Sequence, residues 1–518
     1  RQFMKNVSDK HEIKVERFLV AWQEDSLFTT VEQENIVRLS QKLLKRKARP
    51  YPQFVEFLEC VMSFKEVDIS EANYKNWVIA MDGFLDERKS SPSKISSFLV
   101  FSNNLFRDNA IAKSSSTTWK ATSSNYTITV DKTIKVEFQK TDLVCLTRTD
   151  SIMLEQTAGV VFPLENEWIG KGGLVTWERG GYQRNEVYAN IKDYSINLKK
   201  SEYKADNVVF TNSKYFNEPL EGQLHDKVKR VLTPDRATYP RFYSYTKTFY
   251  IEDLYEGVNY AGGLSMQGAK MVGTGEPANL AKLQLYRNDT MVLEAASLYF
   301  GFKPDRVASE RTSISIKLKQ DSIYHPDLFL DFRTSNRELL LLKTDNFTSQ
   351  MPYSNSYHKF EMNFEQLVWR IDEDYMRFTA PKGTTIGDAY FESVNYFNFN
   401  KYIDMQMMDA QHPLLSLRSF SRAFLSEEFP VQAYANYLGI SVSQVKHLVM
   451  RMAYEGFVYY DSNTEMVTIK PRLHDYIAAS VNKIDYDVIG FTSRVESPLE
   501  NAIFDLRTYD VIVNGIPR

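Results

Sequence analysis

Two hydrophobic periods divide the chain. Up to about Ala112 the apolar positions recur at helical spacing: Ile13, Val15, Phe18, Leu19 and Trp22 in HEIKVERFLVAW, then Ile36, Leu39, Leu43 and Leu44 before Pro50 ends the run. QFVEFLECVMSF and YKNWVIAMDGFL continue the pattern, and the Ser-rich AKSSSTTWKATSSN reads as a linker, so a helical domain is expected over 1–115. From Trp119 the period becomes two. In YSINL the residues Tyr194, Ile196 and Leu198 share a face, as do Ile314, Ile316 and Leu318 in SISIKLK. Such runs, parted by Gly, Asn, Asp and Pro, predict an extended β-rich domain over 116–400, either a β-solenoid or β-sandwich-like body. Helical spacing returns at YIDMQMMDAQHPLLSLRSFSRAFLSEE, and strand patterning resumes at YDVIGF and AIFDLRTYDVIVNG. The fold class expected is α+β multidomain, with the helical unit embedded between β segments.

One echo runs through the β region. RTDSIMLEQTAG near Asp150 is repeated loosely by KQDSIYHPDLFL near Asp321, and more faintly by YKADNVVFTN near Asp206. Stacked coils of a solenoid would produce such corners.

Residues 401–475 carry the clearest motif. Val431 to Leu438 reads as a short helix, Gly439 as the permissive turn, and Ser441 with Gln444 as a capping box opening a second helix. Val445, Leu448, Val449 and Met452 share one face of that helix. Gly456 stops it, and FVYYDSNTEMVTI forms two strands around Asp461 to Thr464, which completes a winged helix-turn-helix. The outward strip is Ser443, Lys446, His447, Met450, Arg451 and Tyr454. A DNA reader needs phosphate neutralisation there, yet from His412 to Asp475 six basic residues face six acidic ones. Contact with protein suits that strip better than contact with DNA.

Composition narrows the remaining chemistry. Net charge is -3 over 518 residues, so no global positive field attracts nucleic acid. Cys60 and Cys145 are the two cysteines, too few for a disulfide scaffold or a thiolate cluster. The seven histidines show no metal-ligand spacing, and no cofactor is expected. Asp372 to Asp374 in RIDEDY reads as a solvated turn, and GKGG at Gly170 to Gly173 and GTGEP at Gly273 to Pro277 as tight turns rather than phosphate loops. In WIGKGGLVTWERGGY the rings of Trp168, Trp177 and Tyr182 are a candidate glycan platform if exposed. No apolar run is long enough to span a bilayer. The chain opens at Arg1 and closes on DVIVNGIPR. It is read as part of a longer polypeptide, with 476–518 as strands that continue beyond it.

WIGKGGLVTWERGGY, YKADNVVFTN, YSNSYHKFEMNF and the winged unit together resemble a family of very large, envelope-associated β-rich proteins of Bacteroidota of unknown function. The resemblance implies a cell-envelope setting, periplasmic or surface-exposed, and transfers no catalytic or binding residue. Part of the β pattern is also similar, at the level of fold, to periplasmic proteins that shelter lipid in a sheet groove. The function expected is a non-enzymatic structural or interaction protein. Its partners are proteins, with lipid or polysaccharide also admitted. A DNA-binding regulator and a carbohydrate-binding protein are the alternatives.

Overall fold

The computed structural model of the protein describes residues 9–24, 27–67, 69–86, 90–130, 133–216, 218–381, 383–406, 411–496 and 498–517. The chain divides into two compact units, Arg1–Tyr245 with Met266–Ala269, and Thr246–Ser265 with Lys270–Arg518. The architecture is α+β and multidomain: an N-terminal helical region, a large antiparallel β body, and further helices late in the second unit.

In the first unit the helices are α1 (Asp9–Gln23), α2 (Thr30–Lys45), α3 (Val55–Glu66), α4 (Glu71–Asp86) and α5 (Pro92–Asp108). A Thr29/Glu32 capping box opens α2, which buries Ile36, Leu39 and Leu43. Asn109, at φ 51°, ends α5 and turns the chain straight into strand Ala110–Lys113. The Ser-rich stretch is therefore not a linker. Ser114 N donates to Thr117 O at 2.8 Å, and the Ser114 hydroxyl accepts from Ser116 N and Thr117 N, so the serines close a β-hairpin. Buried Asn73 on α4 then ties the helices to the sheet, donating to Tyr126 O (2.8 Å) and accepting from Ile128 N (3.3 Å). Helices and first strands belong to one unit, and the expected boundary near Ser115 is not where the units divide.

Each unit contains the same succession of antiparallel strands. Ile134–Thr147 pairs with Ser151–Phe162 in the first, and Arg306–Leu318 pairs with Asp321–Arg333 in the second. Both hairpins shift register at the same places: Phe138, Thr141 and Leu143 in one, Ser309, Thr312 and Ile314 in the other, a constant step of 171 residues (309 − 138, 312 − 141, 314 − 143). The next hairpins match too, Phe162↔Glu167 and Arg333↔Glu338, each with a left-handed residue before the returning strand, Asn166 at φ 56° and Arg337 at φ 50°. Further partners follow in step. Glu167–Lys171 pairs with Asp193–Asn197, as Glu338–Leu342 pairs with Gln366–Arg370. Leu174–Thr176 pairs with Val187–Asn190, as Tyr353–Asn355 pairs with Phe360–Asn363. The β body thus contains two like repeats in tandem. The echo between Asp150 and Asp321 marks the turns of its two longest hairpins, one per repeat.

The second repeat carries an insertion. In the first, strand Glu202–Asn212 returns as Leu220–Lys227 after a short connection. In the second, Ile386–Ser393 pairs with Gly490–Glu496, and Tyr375–Thr379 with Ala502–Asp505. Between them the chain builds α6 (Phe399–Gln406), α7 (Pro413–Phe424), α8 (Val431–Leu438), α9 (Val442–Tyr454) and α10 (Pro471–Ala479). A small sheet joins the helices, in the order Glu428–Pro430, Met466–Ile469, Val458–Asp461. Entry and exit meet: Ser393 N donates to Ile489 O (3.0 Å), and Phe397 N to Asp487 O (3.2 Å). Leu414, Leu417, Phe420, Tyr434, Val449 and Phe457 are among the side chains of the inserted core.

Candidate functional site

The inserted module forms as its local sequence dictates. Gly439, at φ 66°, caps α8, and Ser441 with Gln444 makes the capping box of α9. Val445, Val449 and Met452 are buried, with Leu448 packed against them. The outward strip, however, is largely occupied from within the same unit. Lys446 Nζ pairs with Glu465, in the turn between the two longer strands. Arg451 Nη2 donates to Asp404 O at 2.8 Å. Tyr454 lies 5.9 Å from the Phe347 ring, in the turn Phe347–Gln350 that packs on α9. Met450 leans on the core, which leaves Ser443 and His447 facing outward.

The module is held to its host strands by buried charge. Lys470 Nζ pairs with Glu361 Oε1 and donates to Ser354 Oγ at 2.6 Å, while Arg472 Nη2 pairs with Glu392 Oε1. All four side chains are between 2% and 7% exposed. Tyr390 completes the second pair, donating its hydroxyl to Glu392 Oε2 at 3.0 Å. Burial pushes the Lys470 amine down from its ordinary range, and the charge of Glu361 opposes that.

Glu361 and Glu392 are direct cross-strand partners, an unfavourable placing for two like charges. Their counterparts in the first repeat, by the same pairing, are Tyr188 and Thr211, both uncharged and half-buried. The second repeat therefore carries two carboxylates side by side where the module delivers two cations. A cavity of about 170 Å³ lies beside this latch, lined also by Pro352, Asn363, Lys401, Tyr454 and Glu455. Lys401 and Glu455 pair there at 2.5 Å.

A second polar layer runs beneath the turn that supports α9. His325 Nδ1 accepts from Asp327 N (3.1 Å), so its Nε2 carries the proton and donates to Met351 O (2.9 Å). Burial, and next the nearby charge of Lys343, pushes its pKa well below the ordinary histidine range. Asp327 accepts from Thr348 and from Ser462 in the module (3.0 Å). Burial raises its carboxyl, and those two hydroxyls work against the rise. Lys343 Nζ donates to Asn363 Oδ1 (2.5 Å), and burial, against the pull of Glu365, takes it down to about 7.

These groups are closed on one another, and among the described residues no three His, Cys, Asp or Glu side chains come together to hold a metal. The acidic RIDEDY turn is likewise spent on structure. Asp372 pairs with Arg337 (3.0 Å), Glu373 with Arg370 and Arg377 (3.3 and 3.1 Å), and Asp374 with Arg287 (2.6 Å).

The glycan platform is corrected. Trp168 and Trp177 are both 0% exposed. Trp168 Nε1 donates to the Tyr194 hydroxyl (3.0 Å), Trp177 stands edge-on to Phe210, and Tyr182 donates to Ala269 O (2.9 Å). The glycines beside them open the space: a Cβ on Gly170 would come within 2.1 Å of the Tyr194 ring. Cys60 and Cys145 are free thiols, both buried.

Sequence reasoning passed over Glu361, Glu392, Lys343, Lys470 and Arg472. One signal was there to read: KPRLHDY puts Lys470 at the N-cap of α10 and Arg472 in its first turn, where the helix dipole disfavours cations unless carboxylates meet them. No protein-family model, no curated protein and no solved structure matches this chain.

Proposed function

We propose that the chain is a non-enzymatic structural or interaction protein whose inserted module is a winged helix-turn-helix used for protein contact. The observation that carries this is the state of α9: Lys446 is neutralised by Glu465, Arg451 is bound to Asp404, and Tyr454 rests on Phe347. A helix so engaged has few donors left for base edges or phosphates. The antiparallel pairing in both repeats favours packed sheets over a stacked coil. Their inner faces are filled, by Leu330, Phe332, Leu339, Leu341, Leu367 and Trp369 in the second repeat, which favours a scaffold over a lipid trough. Among the described residues no helix is long and apolar enough to cross a membrane. The setting proposed is the cell envelope, as the family resemblance implies.

A low-salt gel-shift titration of the full chain with random duplex DNA tests the reading. No shift is expected, and changing Lys446 and Arg451 to Ala leaves the result the same. A salt-sensitive complex that disappears in the Lys446→Ala/Arg451→Ala variant would make the module a DNA reader instead.

A further inference from the structure

On the other side of the module's small sheet lies an open groove of about 590 Å³. The register builds its wall. Glu428, Thr468 and Tyr459 stand abreast across the three strands, and Pro430, Met466 and Asp461 form the next row. Tyr324 of the host strand faces them, its ring 4.9 Å from Tyr459 and nearly perpendicular to it, and Pro277 with Ala278 forms the far lip.

The charge in this groove has one sign. Glu428 and Asp461 line it, no basic residue does, and neither carboxylate has a cationic partner among the described residues. Asp461 is fixed by accepting from Asn463 N at 2.8 Å. Lys470, the nearest ammonium to Tyr459, lies 4.6 Å from its ring and is committed to Glu361. The Tyr324 hydroxyl makes no hydrogen bond among the described residues, and after burial the charges of Asp461, Tyr459 and Glu428 push its pKa up, as expected of a phenol facing uncompensated carboxylates. Two carboxylates without a cationic partner among the described residues, beside two half-buried tyrosines, are the complement of an ammonium or guanidinium group, which gains ion pairing there.

We propose that this groove docks a lysine- or arginine-bearing extended segment of a partner protein. The proposal rests on the reading of the module as a protein-contact unit and names the chemistry of its partner. A groove walled by a sheet face accepts an extended chain, with alternate side chains reaching Glu428 and Asp461.

The test is a fluorescence-anisotropy titration of the full chain with a fluorescein-labelled peptide of alternating lysine and serine, beside the same peptide with glutamate for lysine. The lysine peptide binds and weakens with salt, and the glutamate peptide does not bind. Glu428→Gln with Asp461→Asn weakens binding at least tenfold, whereas Glu427→Gln, one residue away and facing His474, leaves it unchanged. Thr468→Lys, which places an ammonium on the floor between Glu428 and Tyr459, abolishes binding while the circular dichroism spectrum stays native. Absence of lysine-peptide binding at low salt overturns the proposal, as does binding that the double variant leaves intact. Equal, Glu428-dependent binding of spermidine overturns it in favour of a small polyamine. A DNA complex in the gel shift would sink the reading of the module itself, so the two failures are distinct.

Discussion

Lys343 is the residue whose charge costs the fold most visibly. It is 5% exposed, its amine has an amide rather than a carboxylate for partner, and its pKa of about 7 lies well below the ordinary 10.5. Between those values the unfolded chain holds a proton that the folded chain lacks, so stability rises with pH across the window from 7 to 10.5. Below about 7 both states are protonated and the full penalty applies. The Lys343→Met variant is expected to lose this slope: in urea unfolding it gains on the parent at pH 6, and the gain shrinks by on the order of 2 kcal/mol by pH 9. An unchanged difference at the two pH values would contradict the assignment. Such residues are hard to find in sequence because their meaning lies in distant partners. Glu361 in FEMN and Glu392 in AYFES look like solvated strand positions, and the cations that bury them come 109 and 80 residues later. Glycine beside tryptophan fits both an exposed platform and a covered backbone, and the burial of Trp168 and Trp177 decides for the second.

For α8 and α9 the local signals were sufficient. The Ser441/Gln444 box, Gly439 and the α8 bounds all depend on contacts within a few residues, and each appears where the pattern puts it. Gly439 shows how little else is involved. A Cβ there would meet nothing within 4 Å, so its left-handed backbone alone sets the cost of replacement. Gly439→Ala is expected to destabilise the module by about 1 kcal/mol, read from the second unit's unfolding transition. A loss several times larger would mean that the turn is packed in solution. The Ser-rich run was misread because composition cannot tell a linker from a hairpin turn. The deciding facts were Asn109 at φ 51°, a local cap, and the Asn73 bridge to the sheet, a tertiary contact.

The whole molecule is where sequence was least legible. Repetition showed only as a loose echo at Asp150 and Asp321, because a β repeat conserves bulge and turn positions while its side chains diverge. Thr141 and Thr312 are both buried at the same bulge, yet Glu361 and Glu392 stand where the first repeat has Tyr188 and Thr211. The module is an insertion into the second of two like β repeats, and the paired glutamates receive its cations. Truncating one member of a buried pair costs about 3–5 kcal/mol, so the glutamates should stabilise the chain with the module and destabilise it without.

The measurement is a set of melting temperatures. Residues 394–489 are replaced by the short connection that joins Asn212 to Leu220 in the first repeat, and Glu361→Tyr with Glu392→Thr is made in both the grafted and the full chain. The two substitutions are predicted to raise the melting temperature of the graft and lower that of the full chain, by several degrees each at roughly 2–4 °C per kcal/mol. A change of the same sign in both backgrounds would contradict the account.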